Sequence, residues 1–382
     1  MTDTKKCDIS FILPRSSGAG DIMARHAVRT FSEKPSPVSF EIIEVPSGEL
    51  DAALENVNGE YVAFLPADGT YSPELFTQLA SFRGASDITV GERRGNITRS
   101  FFAIFLRWLM GLPIRDITSP YRIYKREVYR KILPAVKKCP FDAKLSALVI
   151  AYCDGYSIKE FPVDTGSRCE REELLGAKGL KELLMIRSSA TSADYDDRAF
   201  DSIIPLQRYW QRKRYEIIMG MADKEALSLD IGCGSSRIVQ GLKNSVGLDI
   251  SIKKLRFIRS RGHDKIVQGS IRELPFKDAA FSEIICSQVI EHVPPALFSL
   301  KEFRRVLKPG GTLILGTPDY ASIWWNVFEA GYKILMPNAY GDEHITHYTR
   351  MGLMKLLSEG GFEVLEYKYL LGSELCIKAK KV

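Results

Sequence analysis

Apolar and polar positions along this chain fall into two blocks, each alternating short apolar runs with longer stretches at helical spacing. In the first block "DISFILP", "FEIIEVP", "EYVAFLP" and "SDITVGE" are β-branched or aromatic runs that end at Pro or Gly, which predicts strands. Between them "SPELFTQLASF" predicts a helix. Ser72 can cap it, Pro73 suits a first position that needs no N–H, and Glu74 faces the positive end of the helix dipole. The alternation stops near Cys169. From there to about Tyr195 the chain is charged and strand-free, and "REELLGAKGLKELLMIRSSATSADYDDR" predicts one or two connecting helices and a loop. Helical spacing returns in "IPLQRYWQRKRYEIIMGM", followed by strands at "ALSLDIG", "SVGLDI", "KIVQGS", "SEIICSQ" and "GTLILGTP". The closing runs "FEVLEYKYL" and "ELCIKAKK" lie too close for a helical crossover, so they should pair antiparallel. Strand–helix alternation indicates an α/β class with mostly parallel, doubly wound sheets. The expected organisation is a domain over 1–170, linker helices over 171–199 and a second domain over 200–382.

Composition narrows this picture little. A length of 382 residues suits two or three domains, and 45% hydrophobic with 26% charged content fits a globular protein. The net charge of +6 is modest, but it is uneven: 13 Lys or Arg stand against 4 Asp or Glu between Gly91 and Lys144. That excess suits a solvated basic face, or equally an anionic membrane surface or a phosphate-bearing substrate. Seven scattered cysteines without a C-x-x-C pair point to reduced thiols and a cytoplasmic setting. The polar start "MTDTKKCDIS" carries no signal-peptide pattern. The run "FFAIFLRWLMGL", residues 101–112, is too short to span a bilayer and contains Arg107. It reads as a core helix or as an interfacial one, since Phe, Trp and Leu sit beside Arg99, Arg107 and Arg115.

In the second block "LDIGCGSSR" follows a strand and opens a helix. Gly232 and Gly234 allow a tight turn and close approach of a ligand. Asp249, nineteen residues after Asp230, can accept hydrogen bonds from ribose hydroxyls. These features alone fit a nicotinamide dinucleotide as well as S-adenosylmethionine. "LDIGCGSS", "GLDIS", "GSIRELPF", "CSQVIEHV" and "FRRVLKPGGTLILGTP" occur in an order and spacing that resembles class I S-adenosylmethionine-dependent methyltransferases of the type 11 kind, over residues 200–382. The resemblance implies a Rossmann-like seven-stranded domain. It places the cofactor's methionine part on the loop from Asp230 to Gly234, ribose and adenine at Asp249 and Ile250, adenine between Ser270 and Ile271, and the methionine end at Ser287 and Gln288. The family usually has Asp at the position of Ser270. A neutral hydrogen bond contributes about 1 kcal/mol and a charged one about 1.5–3, so the exchange weakens cofactor binding about tenfold without abolishing it. Methyl transfer is a displacement that requires no metal, although a hydroxyl acceptor needs a base. His292 in "IEHV" and His344 or His347 in "DEHITHYTRMGLMKLLSEGGF" are the candidates. H-x-x-H alone supplies two metal donors with no third nearby, which argues against zinc.

Residues 8–168 resemble family 2 glycosyltransferases of the dolichyl-phosphate mannose synthase kind. The similarity lies in "NGEYVAFLPADGTYSPE", "GERRG", "LMGLPIRDITSPYRIYKREVYRKI" and "GYSIKEFPVDTGSR". It implies a nucleotide-diphosphosugar transferase (GT-A-like) domain in which Asp68 binds Mg²⁺ or Mn²⁺. Asp116 would act near the acceptor or in transfer, and Ser119, Arg122 and Arg168 would contact phosphate, for which the planar arginine fork is suited. The chain departs from that family on the nucleotide side. "LPRSSGAG" replaces a P-x-Y-N-E-like loop, "EVPSG" replaces paired aspartates, and Pro66 stands where the first metal carboxylate belongs.

The expectation is therefore an S-adenosylmethionine-dependent methyltransferase acting on oxygen of a glycan or lipid-linked acceptor. Its partly degenerate glycosyltransferase-like domain would recognise substrate or membrane at the cytoplasmic face. The alternatives are a bifunctional enzyme that also transfers sugar to a polyprenyl phosphate, and a membrane-recruited binding protein without turnover. The Asn/Asp-Pro-Pro-Tyr signature of many nucleic-acid methyltransferases does not occur, so no nucleic-acid partner is expected.

Overall fold

The computed structural model describes residues 7–15, 38–46, 54, 57–64, 73–94, 101–139, 141–164, 179–189, 191–298, 300–335 and 344–382. The chain divides into two compact units, Met1–Ser188 and Ser189–Val382. Among the described residues no helix is long and apolar enough to cross a membrane.

The first unit is built on β1 (Ile9–Arg15), β2 (Phe40–Pro46), β3 (Tyr61–Phe64), β4 (Ile88–Arg94), β5 (Arg122–Lys125) and β6 (Ile158–Asp164), in the order β2-β1-β3-β5-β4-β6. All neighbours are parallel except β5, which is antiparallel to both β3 and β4. Helix α1 (Pro73–Ala80) starts at the proline, as its sequence predicts, and buries Leu75, Phe76, Leu79 and Ala80. Phe76 meets Phe11 of β1 edge-on at 5.9 Å. In α2 (Phe101–Met110) Ala103, Leu106 and Met110 face inward at helical spacing. The opposite face leaves Ile104, Phe105 and Trp108 exposed beside Arg107, so this helix is neither a simple core helix nor a polar surface one. Helices α3 (Arg126–Lys138) and α4 (Ala143–Cys153) follow, and α4 is capped by Asp142, which accepts from the Leu145 N–H at 2.7 Å. Helix α5 (Leu180–Ser188) closes the unit with Arg187 buried. That guanidinium donates to the Met110 carbonyl and lies 5.3 Å above the Tyr152 ring.

The second unit holds β7 (Leu227–Ile231), β8 (Asn244–Asp249), β9 (Ile266–Gln268), β10 (Phe281–Ser287), β11 (Leu307–Pro318), β12 (Phe362–Leu370) and β13 (Glu374–Lys381). The order β9-β8-β7-β10-β11-β13-β12 makes one seven-stranded sheet in which only β13 runs against its neighbours. The predicted antiparallel pair is thus present, with β13 also filling the place beside β11. The first strand, β7, is flanked by β8 on one side and β10 on the other. A reversal of winding at that point opens a crevice at the strands' carboxyl ends. Helix α6 (Tyr195–Phe200) belongs to this unit, so the stretch read as linker over 171–199 is divided between the two units. Helix α7 (Pro205–Met221) then buries Ile217, Ile218, Met219 and Met221 in the core. The remaining helices are α8 (Ile238–Gly241), α9 (Ile252–Ser260), α10 (Leu300–Val306), α11 (Ile323–Leu335) and α12 (Arg350–Glu359).

Candidate active site

Strand β7 carries Leu229 and Ile231 into the core and delivers Asp230 to the crevice. Gly232 and Gly234 then take φ of +67° and +54°, a left-handed backbone that disfavours side chains. Space excludes them as well. A Cβ on Gly232 would lie 2.3 Å from Val289 Cγ2, and one on Gly234 would lie 2.6 Å from Asp196 Oδ2. The turn is held by the Gly232 and Cys233 N–H groups, which donate to the Leu248 carbonyl at 2.7 and 3.1 Å. Asp249, at the end of β8, accepts from the Gly234 N–H at 2.8 Å through Oδ2 and from the Ser251 N–H at 2.7 Å through Oδ1. Each oxygen keeps a second lone pair for a hydroxyl donor. Ile250 beyond it is 75% exposed and offers an apolar surface. Ser270 accepts from the Arg272 N–H at 3.2 Å, and Ile271 is buried in the core.

Across the crevice, Gln288 follows β10 with φ of +60°, tied by its N–H to the Gly316 carbonyl at 2.8 Å. Among the described residues, Asp230 Oδ2, Ser287 Oγ and Gln288 Nε2 are buried and have no hydrogen-bond partner. All three residues line one cavity of about 120 Å³, together with Gly232 and Gly234. Burial, with the Asp249 charge nearby, pushes the Asp230 carboxyl up to about 8. Three orphaned polar groups around a glycine cradle are the donor and acceptor set that an aminoacyl nucleoside would satisfy.

Sequence reasoning missed Asp196 at this site. From α6 its Oδ2 accepts from the Ser235 N–H and Oγ, each at 3.1 Å, and pairs with Lys254 Nζ at 3.0 Å. Burial raises its pKa, but Lys254 and the Ser235 bonds outweigh that and hold the carboxyl below its usual range. Its neighbour Asp197 binds Arg237 Nε at 2.7 Å, and that guanidinium lies 4.3 Å above the Phe200 ring. The segment "ADYDDRAF" has no apolar periodicity, so its sequence looks like a solvated acidic linker.

The fold draws the candidate bases together. His292 ends the 3₁₀ turn Ile290–His292, and its ring centroid is 4.9 Å from that of His344. The Tyr320 hydroxyl is 2.6 Å from His344 Nδ1, and the Tyr320 ring stacks on His347 at 4.0 Å. His347 is exposed and His344 half-buried. Next to His292 in the chain stands Glu291, fully buried, whose Oε2 accepts from Thr317 Oγ1 at 3.3 Å while Oε1 has no partner among the described residues. Burial pushes its carboxyl up to about 8.

In the first unit, Asp116, Ser119 and Arg122 lie on the loop between α2 and β5 and at its junction with β5. Asp116 is buried and bidentate with Arg93, at 2.7 Å from Nε and 2.8 Å from the second guanidinium nitrogen. Burial raises its pKa, and the Arg93 bonds and charge bring it below the carboxylate norm. Ser119 Oγ accepts from the Tyr121 N–H at 3.3 Å. Arg122 donates to the carbonyls of Lys144 and Ile117, while its Nε is buried without a partner among the described residues. Asp68 and Arg168 lie outside the described residues.

Comparison with known proteins bears on the second unit. A family model described as a methyltransferase domain matches residues 229–315. A demethylmenaquinone methyltransferase of Beutenbergia cavernae is 26% identical over 198 residues, which is 46% of this chain and 82% of that protein. A probable S-adenosylmethionine-dependent methyltransferase of Mycolicibacterium smegmatis is 28% identical over 186 residues, 44% of this chain and 69% of that protein. A solved structure of a SAM-dependent methyltransferase from Thermotoga maritima is 22% identical, covers 49% of this chain and 98% of its own, and has a TM-score of 0.40.

Proposed function

We propose that this S-adenosylmethionine-dependent methyltransferase delivers its methyl group to an oxygen of a glycan or lipid-linked acceptor, with the first unit recognising that substrate or the membrane that carries it. The observation that carries the cofactor reading is the convergence of two Cβ-excluding glycines and three orphaned buried polar atoms on one cleft. There the Asp230–Gly234 loop, Ser287 and Gln288 would hold the methionine part; outside the residues that line this cavity, Asp249 would hold the ribose, and Ile250, Ser270 and Ile271 the adenine. The bound cofactor supplies a methyl group on a sulfonium, already activated for direct displacement. The chain's own task is to orient, exclude water and manage one proton. A displacement gains most of its rate from alignment. Of the two histidines joined through Tyr320, His344 and His347, the latter would take a hydroxyl proton.

The surroundings of these histidines support an amphipathic acceptor. Ile323, Trp324, Val327 and Ile345 are exposed. They flank Trp325 and His344, whose rings stack with centroids 6.0 Å apart. Exposed apolar surface of this kind marks binding regions. The first unit gathers Asp116 and Arg93 at the carboxyl end of β4, where open α/β sheets bind ligands, which supports a glycosyltransferase-like recognition module there. A divalent ion at Asp68 belongs to the same proposal.

Two measurements test this. Calorimetric titration of the full chain with S-adenosylmethionine should show binding that Asp249→Ala weakens at least about tenfold, the loss of a charge-assisted hydrogen bond. Equal binding by parent and variant would defeat the cofactor assignment. Incubation with methyl-labelled cofactor and fractionated cell lipids and glycans should put label into one of those fractions, whereas label confined to protein or nucleic acid would overturn the acceptor class.

A further inference from the structure

The second unit gathers a donor set that the sequence keeps apart. Glu291, His292 and His344 each offer one ligand atom, and these atoms all lie within 4.8 Å of one another. H-x-x-H looked two donors strong and no more, because spacing along the chain hides Glu291 and His292 from His344. The meeting is enforced by backbone. The N–H groups of Ile345 and Thr346 donate to the Glu291 carbonyl at 2.8 and 2.9 Å, and Thr346 Oγ1 donates to the Val293 carbonyl at 2.7 Å. These bonds fasten the segment after His344 to the turn that carries Glu291 and His292.

A second, independent feature points to a cation. Glu291 is 0% exposed, and its Oε1 has no hydrogen-bond partner among the described residues. A buried acceptor left unmatched costs about 1–3 kcal/mol, so native proteins seldom leave one without a ligand or ion to meet it. The Tyr320 hydroxyl at His344 Nδ1 provides a contact of the kind that orients metal-ligating imidazoles.

We propose that Glu291, His292 and His344 bind one divalent first-row transition-metal ion. One carboxylate with two imidazoles selects Zn²⁺, Mn²⁺ or Fe²⁺ over Mg²⁺, which prefers an all-oxygen shell. Three protein donors leave coordination positions open to water or to an oxygen of the acceptor. The turn is continuous with Ser287 and Gln288, which line the cofactor cleft, so the ion borders the site of transfer. Coordination of an acceptor oxygen rests on the oxygen-methylation reading above; ion binding itself does not.

The test uses the full chain, stripped with chelator and dialysed against Zn²⁺ or Mn²⁺ alone, with bound metal counted per chain. The parent should hold one ion. Glu291→Gln, His292→Gln and His344→Gln should each weaken it about tenfold or more, while His347→Gln should leave it within about twofold. Co²⁺ added to the stripped parent should give visible bands that His344→Gln abolishes. Thermal melts show whether each variant folds; His344 is half-exposed, so its variant keeps the test decisive should Glu291→Gln unfold. A parent that binds no ion, variants that bind like the parent, or His347→Gln losing as much as His344→Gln would each overturn the proposal. Binding of S-adenosylmethionine measured in chelator separates the two ideas: retained cofactor binding with no metal uptake sinks this site alone.

Discussion

Asp230 shows how far one carboxyl can be shaped by its place. Burial and the Asp249 charge bring it to about 8, far above an ordinary aspartate. Between about pH 4 and 8 the folded state then holds a proton that the unfolded chain has released, so stability falls as pH rises through this window. In chelator-stripped protein Glu291, also at about 8, acts with the same sign. The melting temperature should therefore be higher at pH 5.5 than at 8.5. Asp230→Asn should flatten that slope and stabilise the protein at pH 8 while weakening cofactor binding; an unchanged slope would contradict the assignment. The place of Asp230 came from the methyltransferase resemblance; the two glycines were legible as a turn after an apolar strand, and Asp249 as an acid that closes the next strand. Asp196 was not, since its partners Ser235 and Lys254 lie far along the chain and no pattern around it points inward. Nor was the Arg93–Asp116 pair, which forms only after β4 and the loop before β5 meet.

Among elements, α6 matters most for the site. It is short, with only Ala199 buried in it, and the Asp196 carboxylate ties it to the glycine turn while Asp197 and Phe200 engage Arg237. Replacing Asp196 with Ala should destabilise the protein by about 1–2 kcal/mol through the lost charge-assisted bonds to Ser235 and Lys254. The same variant should loosen amide protection over 191–204 in hydrogen exchange, with β7 unchanged. Protection that stays constant would show that α6 is held by other contacts. Every strand quoted from the sequence is present, because period-two and buried β-branched runs leave an unmistakable trace. Helix α4 left no such trace. Leu145 through Cys153 are buried all round, so its sequence shows no polar stripe to count. Strand β11 begins at Leu307, ahead of the apolar run, since β-pairing with β10 reaches Leu307 before the glycines.

For the molecule as a whole, the division into two α/β units was readable from the break in alternation near Cys169, while the boundary itself was not. Residues 171–199 carry neither period strongly, and the fold assigns α5 to one unit and α6 to the other by specific contacts of Arg187 and Asp196. The proposed recruitment to membranes is tested on the intact chain. With Ile104, Phe105 and Trp108 exposed beside Arg107, the protein should sediment with phosphatidylserine vesicles, less so at high salt. Trp108→Ser with Arg107→Ser should lower the bound fraction severalfold. Recovery of the parent in the supernatant at low salt would reject the interfacial helix.

The strand order of the second unit also governs when it can take shape. β13 is the last of the seven to leave the ribosome, yet it sits between β11 and β12. Until it emerges, β11 and β12 have no common neighbour, and two rows of backbone donors and acceptors stand open to any passing strand. A nascent chain stalled before Glu374 would thus be a customer for chaperones, and the cofactor crevice, whose floor is the same sheet, would be completed only once Glu374–Lys381 has emerged.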